Sequence, residues 1–246
     1  MTTAETYSAS EYSALLRTDF ASFAQYCFHE LNPRTLFAAS WYHDIIAAKL
    51  EAVRTGRSRR VIISMPPRHL KSHLASICFP AWCLGHDPSA QIHCVSYAQD
   101  LADKLSRDCR RILANDWYRQ VFTTRLSAQR LAASEFDTTA QGCRLATSVG
   151  GVLTGRGADI IIIDDPLKPE EALSPAQLAV KCPILVVLGD RRKAHDLPLL
   201  LRQHVAHEIV FMQPVHDQDD RPGPGVVQAA VERVVEPVIC RLPLGL

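Results

Sequence analysis

Pro66-Pro67-Arg68-His69-Leu70-Lys71-Ser72 lies between a short β-branched run and an apolar helical pattern. In that setting the chemistry on offer is phosphate binding. Backbone N–H groups at a helix start face an anion, a lysine reaches the terminal phosphates of a nucleotide, and a serine hydroxyl ligates Mg²⁺. Lys71 and Ser72 are the residues for those two roles. Pro67, Arg68, His69 and Leu70 would wrap the phosphates. The pattern GxxxxGKS is not met, because Met65 and Leu70 stand at the two glycine positions. Taken alone, a basic helix start on the surface accounts for the segment equally well.

The second group is Ile160-Ile161-Ile162-Ile163-Asp164-Asp165-Pro166. Paired carboxylates at the end of a buried strand can hold Mg²⁺ and polarise an attacking water. Asp164 is the expected metal ligand, and Asp165 the expected base or water-positioner. A strand ending in a turn would also read Asp-Asp-Pro. The two groups in this order, each on a suitable element, point to an ATP site. A third segment, Ser148 to Gly157, holds four glycines, which allow positive φ and close backbone approach. It also reads as a flexible connector.

The elements that must position these residues alternate. Helical patterns cover 10–30 and 34–55, the second with Asn32 as N-cap and Pro33 in its first turn. Val61 to Met65 reads as a buried strand, 72–84 as a helix, 91–97 as a strand and 100–114 as a helix. Residues 134–148 read as a hairpin turning near Gly142. The four isoleucines at 160–163 read as a strand covered on both faces. Strands alternating with helices imply an α/β fold with a mostly parallel sheet.

Composition narrows the classes. The chain has 246 residues, 47% hydrophobic and 22% charged, with a net charge of +1. That is ordinary for a globular chain, and no global basic excess points to nucleic acid. No apolar run approaches the roughly 18 residues of a membrane span. The N-terminus has no basic region followed by an apolar stretch, so a cytoplasmic location is expected. The 8 cysteines form no CxxC pair and read as reduced thiols packed as small hydrophobes.

Together these segments resemble the large subunit of tailed-phage terminases, the motor that packages DNA. The family's phosphate loop often reads MPPRHGKS, which Met65 to Ser72 matches except for Leu70. Its SxGGxxTGxGAD followed by IIIDDPxK matches Ser148 to Lys168. Trp41-Tyr42-His43 resembles its W-x-H segment near the adenine, which makes His43 a nucleotide contact by resemblance. Ser96-Tyr97-Ala98, Leu101-Ala102 and Arg107-Asp108-Cys109-Arg110 match its second strand and the helix after it. The resemblance covers about residues 20–175. It implies a P-loop NTPase of the ASCE type, with ATP and Mg²⁺ as cofactors and Arg68 as a catalytic, charge-stabilising arginine acting in cis. It implies as partners double-stranded phage DNA, the portal, the small terminase subunit and further copies of the chain in a homo-oligomeric ring, with no membrane.

Beyond about Ser174 the character changes. Only one aromatic residue, Phe211, follows residue 176, and proline recurs at 183, 198, 214, 222, 224, 237 and 243. Residues 1–175 therefore form the terminase-like ATPase region, and 176–246 an irregular tail without the family's nuclease domain. Read backwards through complementary codons, 220 down to 212 can spell IVLIM-x-RLH, resembling the family's downstream IVLIMQRLHEDDL. Phe211 to Glu208 then allow Glu, Asp, Asp, Leu. Lys193 to Leu188 allow FPAIAE, and Pro243, Leu242, Pro237 and Glu236 allow RQ and WF. The tail is thus expected to be the antisense translation of an inverted segment. Such a tail was never selected to fold, and its elements should not fit the sheet. On this reading the protein is a prophage terminase fragment, either an active Mg-dependent ATPase or a non-catalytic, degenerate remnant. The DNA sequence decides the antisense expectation: the reverse strand of codons 176–246 should encode those family segments, and a reverse strand that does not refutes it.

Overall fold

The computed structural model describes residues 8–65, 68–149, 151, 156–166, 184–188 and 208–211. Helix α1 spans Ala9–Thr18 and opens on a capping box between Ser8 and Glu11. Helix α2 spans Phe20–Leu31. The single helix expected over 10–30 is therefore two. Asp19 separates them with extended backbone, because its carboxylate accepts from the Ser22 N–H at 2.8 Å and caps α2. Asn32 ends α2 instead of starting the next helix, and its Nδ2 donates to the Phe28 carbonyl. Helix α3, Trp41–Arg54, begins later than expected, with Ser40 as its N-cap.

Strand β1, Arg60–Ser64, leads to the loop containing Lys71. The expected helix after that loop opens as a π-helical turn, His73–Cys78, and continues as α4, Phe79–His86. Pro80 gives the reason. It has no N–H to offer the Ser76 carbonyl four residues earlier. The chain shifts register so that the Phe79 N–H bonds Leu74 O, and a buried arginine, Arg144, donates Nη2 to Ser76 O at 2.9 Å. Then follow β2 (Gln91–Ser96), α5 (Gln99–Ala114), α6 (Asp116–Val121), β3 (Leu126–Leu131), β4 (Glu135–Thr138), β5 (Cys143–Ser148), β6 (Ile160–Asp164), β7 (Ile184–Leu188) and β8 (Glu208–Phe211). The β4–β5 turn holds Gly142 packed against the Pro88 carbonyl, where no Cβ would fit.

All eight strands form one sheet in the order β3-β4-β5-β2-β6-β7-β1-β8. The sheet is mixed and not mostly parallel. Only β2–β5, β2–β6 and β1–β8 pair in parallel, while β3–β4, β4–β5, β6–β7 and β1–β7 are antiparallel. Two causes are visible. Short connections make β3-β4-β5 a meander. And β7, from the tail, runs against the direction of the two strands it separates. The expectation that no tail element fits the sheet is thus corrected for two short segments. Ile184-Leu-Val-Val-Leu188 has the β-branched content a central strand needs, and backbone pairing is indifferent to sequence history. The other tail residues lie outside the described ones.

Register puts Val61, Ile63, Ile92, Cys94, Phe136, Ile160, Ile162 and Val186 on one face, where they join Phe20, Phe23, Leu50, Leu74, Trp82 and Ile112 from the helices in one core. His93, Val95, Leu145, Ile161 and Ile163 are buried on the other face and belong to no part of that core. Among the described residues no helix is long and apolar enough to cross a membrane.

Candidate functional site

The ends of β1 and β6 are separated only by β7, so the loop after β1 and the carboxylates ending β6 meet above one sheet edge. Lys71 is buried, and its Nζ lies 2.6 Å from Asp165 Oδ1. Ser72 Oγ donates to Asp164 Oδ1 at 3.1 Å, and Ser76 Oγ donates to Asp164 Oδ2 at 2.7 Å. Four of the residues expected from sequence, Lys71, Ser72, Asp164 and Asp165, are therefore in mutual contact. Ser76 was not foreseen. Its position four residues after Ser72 is the signal that could have found it, since residues i and i+4 share a helix face. Arg144 was not foreseen either, because a charged residue inside a short strand gives no hint of a carbonyl to satisfy on a neighbouring helix.

Asp164 is only 2% exposed. Burial raises its pKa to about 6, and the adjacent Asp165 charge adds to the rise. The two serine hydroxyls and Lys71 act in the opposite direction and do not cancel it. Asp165 sits at φ 48°, with its carbonyl accepting from the Tyr97 N–H at 3.1 Å. That bond to the end of β2 aims the carboxylate at Lys71.

A cavity of about 540 Å³ opens beside these groups. Arg68, Leu70, Lys71, Ser72 and Asp165 form one wall, the end of α2 a second, and Lys104 and Asp108 of α5 a third. Lys104 Nζ is 3.2 Å from Asp108 Oδ2. Arg68 is exposed and has φ 68°. Leu70 has φ 60°, a conformation in which glycine is at ease and a leucine costs about 1–2 kcal/mol. The position the loop motif reserves for glycine thus has the backbone of a glycine without being one.

Other expected residues fall elsewhere. His69 stacks near Tyr42, with ring centroids 5.7 Å apart, and does not line the cavity. His43 does not line it either. Its Nδ1 accepts from the Ser40 N–H at 3.2 Å, so it caps α3, and burial lowers its pKa. Pro67 lies outside the described residues, as do Gly150 and Val152 to Gly155 of the glycine segment. The chain matches no protein-family model and no curated protein.

The raised pKa of Asp164 makes a stability prediction. Below its unfolded value near 3.8 the carboxyl is protonated in both states. Between there and about 6 the folded protein keeps a proton that the unfolded chain has lost, so stability falls as pH rises through this window. A rise of about two units corresponds to about 3 kcal/mol lost by pH 7. Asp164→Asn should therefore stabilise the ligand-free protein at pH 7.5 and abolish this part of the pH slope, read by urea unfolding between pH 4 and 8.

Proposed function

We propose that the chain binds and hydrolyses Mg·ATP, as the ATPase region of a prophage terminase large subunit. The observation that supports this best is the meeting of Lys71-Ser72 with Asp164-Asp165, pairs separated by 92 and 94 residues in sequence. A buried lysine, a hydroxyl and two carboxylates at the mouth of a cavity are the donor set that a nucleotide triphosphate and its cation require.

Each residue then has a role. Ser72 and Asp164 would hold Mg²⁺, and the buried state of Asp164 fits, because its desolvated carboxylate is short of positive charge. Bound Mg²⁺ neutralises charge building on the phosphates. Lys71 exchanges Asp165 for a phosphate oxygen, which frees Asp165 to orient the attacking water. Arg68, on the exposed rim, offsets charge on the γ-phosphate. Ser76 keeps Asp164 in place from the opposite side. In the terminase family such hydrolysis drives double-stranded phage DNA into a procapsid. The partners would then be that DNA, the portal, the small subunit and further copies of this chain.

One observation favours a second reading, a non-catalytic remnant. Leu70 projects a side chain into the cavity wall where the family's loop carries only backbone.

Turnover by the purified chain separates the two. Mg·ATP hydrolysis should fall at least ~100-fold in both Lys71→Ala and Asp164→Ala. Folded protein that binds ATP without hydrolysing it supports the remnant, and folded protein that binds none refutes the site. Leu70→Gly should tighten ATP binding by calorimetry. Relief of the left-handed leucine, about 1 kcal/mol, is offset by the similar entropy cost of glycine in the unfolded chain, so the melting temperature should hardly move.

A further inference from the structure

The net charge of +1 hides an uneven distribution. From residue 52 to 86 the chain carries Arg54, Arg57, Arg59, Arg60, Arg68 and Lys71 and no Asp or Glu. Four of these arginines fall within seven residues, at the end of α3 and the start of β1. Strand β1 leads from there to the loop, so the four lie at the opposite end of the strand from Lys71. The connecting turn is tight. The Ser58 N–H donates to Ala52 O at 3.0 Å and the Gly56 N–H to Val53 O at 2.9 Å, which folds the turn back against the end of α3. Trp82 of α4 gathers the neighbouring cations. The Arg54 guanidinium lies 4.7 Å from its ring centroid, the His86 ring lies 4.6 Å away, and its Nε1 donates to Leu16 O, beside Arg17.

Carboxylates do not balance this group. Arg111, Arg119, Arg130 and Arg156 each lie within 3.8 Å of one. Arg17, Arg54, Arg57, Arg59 and Arg60 form no ion pair among the described residues, not even with Glu51 one turn before Arg54. Asp87 is taken by the Ser89 N–H and hydroxyl, at 2.9 and 2.6 Å. Arg54 Nε and Arg60 Nη1 are buried without a hydrogen-bond partner. Burial and the Arg59 charge lower the Arg60 pKa, and burial with the Arg54 and Arg17 charges does the same to His86. No large apolar side chain is exposed between residues 51 and 61 or on α4. A protein interface centres on such groups, a membrane surface is entered by them, and single-stranded nucleic acid stacks on exposed rings. Tyr12, on the same helix as Arg17, packs its ring against Tyr26. The partner that fits charge alone is the phosphate backbone of a duplex, whose oxygens suit the forked guanidinium.

We propose that this end of the molecule contacts the phosphate backbone of duplex nucleic acid without reading its sequence. Arg57 and Arg59 are the exposed contacts, exposed Arg17 flanks them across Trp82, and half-buried Arg54 and Arg60 supply the remaining charge. Duplex DNA is the partner class already proposed for the chain, and the cluster gives that contact a surface on grounds independent of the ATP site.

Fluorescence anisotropy of a labelled duplex of about 30 bp, without ATP or Mg²⁺, tests it. The full chain should bind at about 50 mM salt, with log K falling against log salt at a slope of about −4 for four or five contacts. Arg57→Gln/Arg59→Gln should weaken binding by ~10-fold or more and flatten the slope by about 2. Arg130→Gln/Arg156→Gln removes the same charge across the sheet from β1 and should weaken binding less than about 2-fold. Arg57 and Arg59 are exposed, so the urea midpoint of their variant should match the wild type. Equal weakening by both pairs, tighter binding of a single strand, binding to phosphatidylserine vesicles without duplex binding, or no duplex binding overturns the proposal. A chain that hydrolyses ATP but fails here loses only this surface, and a chain that binds duplex through these arginines without turnover keeps it.

Discussion

The carboxylate of Asp164 is the constraint around which the rest of the structure is arranged. It is almost wholly buried, and it takes a hydroxyl on each oxygen, Ser72 on one and Ser76 on the other. A buried carboxylate without such donors would cost several kcal/mol. Those two bonds lock the last residue of β6 to the first turns of the helix behind the loop. The loop in turn places Lys71 against Asp165.

The helix carrying the serines has a defect, and the defect is compensated from the sheet. Pro80 withholds the N–H that Ser76 O would use, the helix adopts a π turn, and Arg144 reaches from β5 to take the carbonyl. Arg144 is fully buried, with Nε and Nη1 unpartnered, so this carbonyl bond is its one satisfied contact among the described residues. Losing the arginine would orphan the backbone carbonyl of Ser76, the same serine whose hydroxyl holds Asp164. Strand β5 thus supports the site without contributing a group to it.

Side chains alternate along a strand, so the two faces of the sheet carry different groups. On one face Ser96 and Asp164 are in register beside the helices. On the other His93 and Cys143 face the carboxylates of β4. The mixed character of the sheet comes chiefly from β7, an antiparallel strand wedged between β6 and β1. It separates β1, which leads to Lys71, from β6, which ends in Asp164, by one strand position.

Much of this was legible in the residues. Lys71-Ser72 after a β-branched run, and Asp164-Asp165 after four isoleucines, are local patterns whose chemistry depends on residue type and on the element beside them. So were the strands at 91–96 and 160–164 and the helix at 99–114, where periodicity is strong. The helix break at Asp19 and the late start of α3 were not, because capping competes with periodicity within a single turn. His43, expected at the nucleotide, caps α3 through Nδ1 and does not line the cavity beside Lys71, a placement that depends on its neighbours and not on its residue type. Ser76 and Arg144 gained their significance from partners on other elements. Sequence alone therefore determined which groups could do chemistry. Tertiary structure decided which of them touch, how far burial shifts Asp164, and that a tail strand enters the sheet, because each of these depends on contacts between residues distant along the chain.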